Sequence, residues 1–419
     1  MAADQEKKNI VIIGGGIIGC TTAYYLTRHP SFNPSLHSVT LLEATKIAGG
    51  SSGKAGGLLA LWAYPSNIVP LSYRLHAELA KEHNGEDAWG YRRIHCGQLA
   101  ARGRPMASNL KSAKANGDSV SLQKRSEEAM GTFRAAGIPK DLDWFDAESV
   151  EGYDEMGDPD TTAQVHPYQF TTTMARLASD KGAKIEIGSV SNIEYDGDSV
   201  KSVKYTNKET SESHTIPASH VILSAGPWTR TVYPKAPISA MRAHSVTVRP
   251  SRPVSAYAIF TQISIPSNFH DAAGQNGKSS KRTRGSGSVT SPEMYARPNN
   301  EVYCCGEGDH VVPLPKSSDL VQIDQRRCDE IIEQVSAISD EMRDGEVTTR
   351  QACYLPNVTG AASGPLIGET GVKGLLIAAG HTCWGIQNGP GTGKLMSEFV
   401  FDGKAKSANV RSLDPRNVM

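Results

Sequence analysis

The apolar pattern is densest near the start of the chain. Four apolar residues, Ile10 to Ile13, run directly into glycines at 14, 16 and 19, and an apolar helix-prone stretch follows from Ile17 to Leu26. A second β-prone run, Ser38 to Leu42, ends at Glu43. Strand, glycine turn, helix, strand and acid in this order predict a βαβ unit over residues 9–43 with a dinucleotide site at its turn. Gly14 permits the tight strand-to-helix turn, Gly16 lets a pyrophosphate approach the backbone, and Gly19 lets helix and strand pack closely. The helix start offers unpaired N–H groups and partial positive charge to the phosphates. Glu43 can accept both hydroxyls of an adenosine ribose.

The pattern then loosens. Residues 48–59 hold too much glycine and serine for a helix interior, yet are too orderly for a linker. Ile68, Leu71, Leu75 and Leu79 recur at three- and four-residue steps, which predicts a helix over 66–83. From Tyr91 short β-prone pieces such as Gly97 to Ala100 sit among polar segments, and 107–128 is mostly polar. Thr171 to Lys181 reads as an amphipathic helix. Lys184 to Val190 and Asp198 to Thr206 read as strands, and Ser219 to Gly226 as a buried strand ending in a small-residue turn. β-prone runs fill 238–265 and return at Val302 to Gly306, with a helix expected over 317–340. Residues 271–290 read as a flexible surface insertion, and the basic stretch 278–288 within it as a solvated loop. Gly374 to Gly380 predicts a short apolar strand, and a helix is expected from about Gly393 to Phe401. The expected fold class is α/β, α+β overall. A Rossmann-type cofactor domain is drawn from 1–90, 166–235 and 341–419, and an inserted antiparallel β-sheet substrate domain from 91–165 and 236–340.

Composition narrows the function classes. Basic and acidic residues balance at 44 each, so nothing marks a nucleic-acid or anionic-membrane footprint. The seven cysteines are scattered, without CxxC or zinc spacing, which predicts no metal site and a reducing, cytoplasmic setting. Lys7-Lys8 before the apolar run imitates a signal peptide, but the nucleotide-binding glycines and the lack of a placed cleavage site argue against one. No other stretch approaches the length of a membrane span, so no membrane insertion is expected. A small-molecule substrate is the expected partner, and the oligomeric state stays open.

Three features favour FAD over NAD. The stretch 48–59 follows soon after the ribose-binding acid, and its exposed N–H groups suit an extended dinucleotide. The turn at Ala225 and Gly226 lets backbone lie against a cofactor. Ala378 to His381 leads through Gly385, Ile386 and Gln387 into a helix whose start can stabilise negative charge on a reduced flavin.

In this order the residues resemble the FAD-dependent oxidoreductases that include D-amino-acid oxidase, glycine oxidase and monomeric sarcosine oxidase, and among them fungal members of uncertain substrate. The resemblance covers nearly the full length. It implies that Gly14, Gly16, Ile17, Ile18, Gly19 and Glu43 hold the ADP half, while Ser51, Ser52, Gly56, Gly57 and Leu58 line the pyrophosphate and ring. Val190 would bracket the adenine, and Gly385, Ile386 and Gln387 would approach the pyrimidine edge. The implied reaction oxidises a C–N bond of an amine or modified amino acid by hydride transfer to flavin N5. Imine hydrolysis follows, and oxygen reoxidises the flavin to give hydrogen peroxide. No protein acid or base is strictly required, because the cofactor carries the difficult step, so no catalytic residue is assigned.

Three places depart from the family pattern. Leu355 and Cys383 stand where relatives hold a substrate carboxylate with arginine, which puts a simple α-amino acid in doubt. Arg242, Arg249, Arg297 and Arg350 are candidate replacements, each also readable as a surface charge or structural partner. Cysteines occupy Val302 to Gly306 where sarcosine oxidase-like members place a lysine near the flavin. That weakens the oxidase reading and keeps a dehydrogenase open, with Lys54 a possible substitute. An FAD-stabilised interaction protein with weak or no catalysis is the third alternative. Cys353 is a candidate for covalent flavin attachment, against the plainer reading of a buried thiol. Trp62, Tyr354 and Trp384 are candidate walls of an aromatic substrate pocket, and His381 a residue at the flavin edge that could titrate.

Overall fold

The computed structural model describes residues 6–105, 131, 135–267, 269, 288–360 and 364–419. The polar stretch 107–128 and all but the last residue of the basic stretch 278–288 lie outside the described residues.

Asn9–Ile13 is buried on both faces and lies within an eight-stranded sheet, as a continuous β-branched run requires. Ser38–Glu43 and His220–Leu223 pair with it in parallel on either side. Lys184–Asp196 joins the first in parallel and Leu375–Ala379 the second. Antiparallel Ser199–Asn207, Ser213–Pro217 and Leu366–Glu369 finish the two edges. The strand expected over 184–190 runs on to Asp196 because it turns directly into a hairpin with Ser199–Asn207.

Helix Ile17–Leu26 is buried at every residue except Tyr25. An apolar helix without a polar face must be covered on all sides, and this one sits against Pro167–Ser179 and Gly385–Asp402. The C-terminal helix begins at Gly385 rather than Gly393 and carries Pro390 inside. Proline has no N–H for the Ile386 carbonyl one turn back. His76, from helix Val69–Glu82, takes that carbonyl at 3.0 Å through Nε2. Tertiary satisfaction of a broken ladder is invisible to local propensity, which explains the late start expected from sequence.

The second sheet runs Glu346–Val358, Ile238–Arg249, Glu301–Cys305, Glu293–Arg297, Tyr257–Ile265, His95–Arg102 and Val150–Gly157. It is antiparallel except where Tyr257–Ile265 meets His95–Arg102. Two expectations change here. Ser288–Thr290, the end of the expected flexible insertion, pairs with Tyr257–Ile265. Glu346–Val358, inside the segment assigned to the cofactor domain, pairs along its whole length with Ile238–Arg249. A two-face strand pattern does not reveal which sheet it joins. One face of this sheet, with Met294, Val302 and Cys304, packs on helix Gln325–Ser336 through Cys328, Ile331 and Val335. The helix expected over 317–340 divides into Gln325–Ser336 and Asp340–Arg343, each opened by its own side-chain cap, Asp324 and Ser339. A small third sheet joins Leu58–Ala60, Thr162–Gln164 and Arg92–Arg93.

Candidate active site

A cleft opens where the parallel strands of the first sheet end, at Ile13, Glu43, Ser224 and Ala379. In open α/β sheets that is where ligands bind. Gly14, Gly16, Ile17, Ile18, Glu43, Ser51, Ser52, Val190, Ala225, Gly226 and Gly385 line it together. Gly14 has φ +113, and a Cβ there would fall 2.4 Å from the Ser224 carbonyl oxygen, so only glycine fits. The Ile17 N–H donates to Ser52 Oγ at 2.9 Å, and the first helical turn holds no acidic residue. The Glu43 carboxylate accepts from the N–H groups of Gly15 and Thr45, each at 2.8 Å, and from Thr45 Oγ1 at 3.0 Å. A carboxylate has about four lone-pair positions, which leaves acceptor capacity toward the cleft.

The remaining expected residues stand elsewhere. Gly19 lies behind the turn, packed beneath the Gly14 carbonyl. Gly56 faces Tyr295, whose ring would meet a Cβ at 2.2 Å, and Gly57 faces the Val165 carbonyl. Leu58 packs with Tyr295 and Tyr303. Ile386 is buried, and Gln387 Oε1 accepts from the Ala60 N–H at 2.8 Å while its Nε2 is buried without a partner. Sequence reasoning missed Trp228, Lys316, Ser317 and Ser318 in the cleft wall. Trp228 stands in the turn motif and could have been read from it. The 316–318 loop had no local signal; Ser318 reaches the site through its hydroxyl contact with Thr45 at 2.6 Å.

His381 lines the cleft at 4% exposure, and burial pushes its imidazole down to about 3. It stays neutral at ordinary pH, bonded to Thr392 Oγ1 at 3.0 Å, so the expected titration is corrected. His76 is likewise pushed down to about 4 by burial, against the raising effect of its bonds to Ile386 and Gln387. Thr382, also on the cleft, has φ +51. A β-branched residue held there stores roughly 1–3 kcal/mol of strain.

Beside the cleft a cluster of aromatic rings packs edge to face. Trp62 meets Trp384 at 5.5 Å and Phe260 at 6.1 Å, Phe260 meets Tyr295 at 6.0 Å, and Tyr64 meets Trp384 at 6.0 Å. Tyr354, expected to share this wall, does not. Neighbours along a strand point to opposite faces, and its hydroxyl donates to the carbonyls of Val312 and Pro313. Cys353 takes the other face, where its thiol is pushed up to about 11 by burial, partly offset by Lys54. Burial also lowers the Lys54 amine, which donates to the Ala352 carbonyl at 2.8 Å. Neither Cys353 nor Lys54 lines the cleft.

The four candidate arginines have partners. Arg242 is buried against Asp309 at 3.2 Å, and Arg297 pairs with Glu301 at 2.9 Å while donating to the carbonyls of Ala55 and Gly56. Arg249 meets Glu346 and Arg350 meets Asp329 at the surface.

Fold and cleft together define a dinucleotide-binding oxidoreductase. The glycine turn, the remaining acceptor position of Glu43 and the unpartnered Gln387 amide fit an extended flavin dinucleotide. A family model described as "FAD dependent oxidoreductase" (DAO) matches residues 9–399, and the chain belongs to that family. Its cofactor is FAD. The chain is 38% identical over 517 aligned residues to "Putative oxidoreductase TDA3" of Saccharomyces cerevisiae, covering 98% of this chain and 95% of the relative. The fold is shared with glycine oxidase from Bacillus cereus, at a TM-score of 0.67 and 17% identity over 96% of each chain. It is shared equally with L-proline dehydrogenase from P. horikoshii, at 0.67 and 18% over 98% of each. Among the described residues no helix is long and apolar enough to cross a membrane, and no group of His, Cys, Asp and Glu could hold a metal ion.

Proposed function

We propose that this FAD enzyme oxidises the C–N bond of an amine or modified amino acid, with oxygen as acceptor and hydrogen peroxide as product. The observation that carries the reading is the commitment of Arg242, Arg249, Arg297 and Arg350 to other partners, together with a carboxylate, Glu293, set among aromatic rings. A simple α-amino acid would leave its own carboxylate without the fixed cation that such a group needs.

FAD, when bound, supplies a hydride acceptor at N5. The chain supplies placement. In this reading Gly14, Gly16, Ile17, Ile18, Gly19, Glu43 and Val190 hold the ADP end, and Ser51, Ser52, Ala225, Gly226 and Gly385 the middle and pyrimidine side. Gly56, Gly57, Leu58, Ile386 and Gln387 shape the backbone behind them. Trp62 and Trp384 orient the substrate and exclude water, which raises the chance of a productive C–H approach. His381, neutral and buried, adds no charge. The segments within 1–90, 166–235 and 341–419, less the strand Glu346–Val358, make the cofactor half of this division of labour. The seven unpaired thiols support a reducing, cytoplasmic setting.

A second reading is a dehydrogenase with another electron acceptor. The thiol of Cys305, on the Glu293 face of the strand where the family resemblance implies a lysine, favours it. One experiment separates the two. Amines are mixed anaerobically with the yellow protein, and air is then admitted. Bleaching with aerobic recovery and peroxide supports the oxidase, bleaching without recovery supports the dehydrogenase, and no bleaching by any amine or amino acid sinks both.

A further inference from the structure

We propose that the ring cluster beside Glu293 forms a recess that binds an alkylammonium group, with the Glu293 carboxylate as its counter-charge and Trp62, Phe260 and Trp384 as its walls. This names a substrate class for the C–N oxidation proposed above and rests on that reading.

Strand register builds the recess. Glu293 stands opposite Phe260 on one neighbouring strand and Cys305 on the other, so the three share one sheet face. Tyr295, two residues on, stands on the same face opposite Tyr303, and their rings stack at 5.9 Å. The alternate residues Met294, Val302 and Cys304 go to the opposite, helix-covered face. Trp62 and Trp384 are brought over this row from outside the sheet.

Glu293 is partly buried, and its two partners are neutral donors, the Tyr295 hydroxyl and the Cys305 thiol at 3.6 Å. Among the described residues no Lys, Arg or His forms an ion pair with it. Burial pushes its carboxyl pKa up, as expected for an acid without a cation. The ring faces around it carry negative quadrupole density, which attracts a cation and offers nothing to an anion. Glu293 also acts on Cys383. Burial is the main cause that raises that thiol, and the Glu293 charge adds a smaller push in the same direction, at the position where the family resemblance implies an arginine.

The ring cluster reaches the surface and adjoins the turn that lines the cofactor cleft. Trp62 is 39% and Tyr64 48% exposed at its mouth. Thr382 and Gly385 line the cleft, and Cys383 and Trp384 lie between them in the chain. Tyr295 rests directly on Gly56. A cation seated against Glu293 would therefore stand near the 382–385 turn, whose Thr382 and Gly385 line the cleft.

The test titrates FAD-loaded enzyme with tetramethylammonium, which has no N–H and reads only charge and ring contact. Flavin difference spectra and tryptophan fluorescence report binding. The expected result is saturable binding that 3,3-dimethylbutanol, a neutral alcohol whose tert-butyl group has the shape of the trimethylammonium head, matches only at roughly tenfold higher concentration or more. Glu293→Gln should weaken the cation at least about tenfold and leave the alcohol unchanged, while Glu293→Asp, which keeps the charge, should lose less. Equal affinity for cation and alcohol in the wild type overturns the proposal, as does equal cation affinity in Glu293→Gln. Tighter binding of acetate than of tetramethylammonium overturns it too. FAD content and a thermal melt check each variant. If Glu293→Gln does not fold, the wild-type comparison of cation with alcohol still decides. Anaerobic amine bleaching on the same samples keeps the two claims apart. Bleaching without cation preference removes the recess and leaves C–N oxidation standing, whereas cation preference without bleaching does the reverse.

Discussion

Two glutamates mark the two halves of the site, and the chain surrounds them in opposite ways. Glu43 ends a parallel strand, and its carboxylate is held by backbone N–H groups of Gly15 and Thr45 that the fold itself supplies. Glu293 lies mid-sheet among rings, held by a hydroxyl and a thiol from side chains. The first environment is made of backbone and arises wherever the strand-turn-helix forms. The second depends on which side chains three strands and two distant loops bring together. One half of the site is therefore robust and shared by a family, while the other is free to set the substrate.

The largest expected effect breaks the first half alone. Gly14→Val forces a β-branched residue to φ +113 and drives its Cβ against the Ser224 carbonyl. Strain of roughly 1–3 kcal/mol, with the clash added, should cut retained FAD by about tenfold or more. The ratio of flavin to protein absorbance after gel filtration measures it. Gly56→Ala is the counterpart in the second half, since its Cβ would meet the Tyr295 ring at 2.2 Å. FAD retention within about twofold of wild type is expected, with tetramethylammonium binding weakened by a larger factor. If both variants lose FAD alike, the halves are not separable.

The pH dependence should run in opposite directions in the two halves. His381 has a folded pKa pushed down to about 3, and His76 to about 4, from an ordinary 6.5. Between those values the unfolded chain binds more protons than the folded one. Their stabilising contribution is thus complete above 6.5 and is lost as pH falls toward 4 and 3. Each group weakens the fold by up to about 1.4 kcal/mol per pH unit in that window. Glu293 has the reverse sign. Its folded pKa is raised above 4.5, so the folded chain holds the extra proton and stability falls as pH climbs from 4.5 through the raised value. Melting midpoints across pH for wild type, His381→Asn and Glu293→Gln check this. The histidine variant should flatten the acid side, and the glutamine variant the side above 4.5. Unchanged slopes in both would remove the electrostatic contrast.

The same contrast explains what was legible in the sequence. Gly14, Gly16 and Glu43 were readable because a βαβ unit is local, and its turn dictates residue types at fixed spacing. Ala225 and Gly385 were readable from a small-residue turn and a helix start, whereas Val190 was readable only through the family resemblance, since strand order is a long-range property. Glu293 carried no signal at all. It acquires meaning from Phe260 and Cys305 across the ladder, and register cannot be read from one strand. Tyr354 was misassigned for a related reason: a one-residue step reverses the face, so Cys353 and Tyr354 cannot serve one pocket. The C-terminal helix started late in the sequence reading because Pro390 is tolerated only through His76, far away in the chain.

The smallest expected effect concerns Cys353, which sits on the recess side of its strand without reaching the cleft. Its thiol, pushed up to about 11 by burial, is protonated at neutral pH and so is a poor nucleophile toward flavin. Cys353→Ala should therefore cost only about 1 kcal/mol in stability, from lost packing. After acid precipitation the yellow colour should remain in the supernatant for wild type and variant alike. Colour retained in the wild-type pellet and released in Cys353→Ala would instead establish a thioether, and would require the Lys54 ammonium to lower the thiol further once FAD is seated. That outcome would tie the two halves through one covalent bond and end the claim that the recess is free to vary independently of the cofactor.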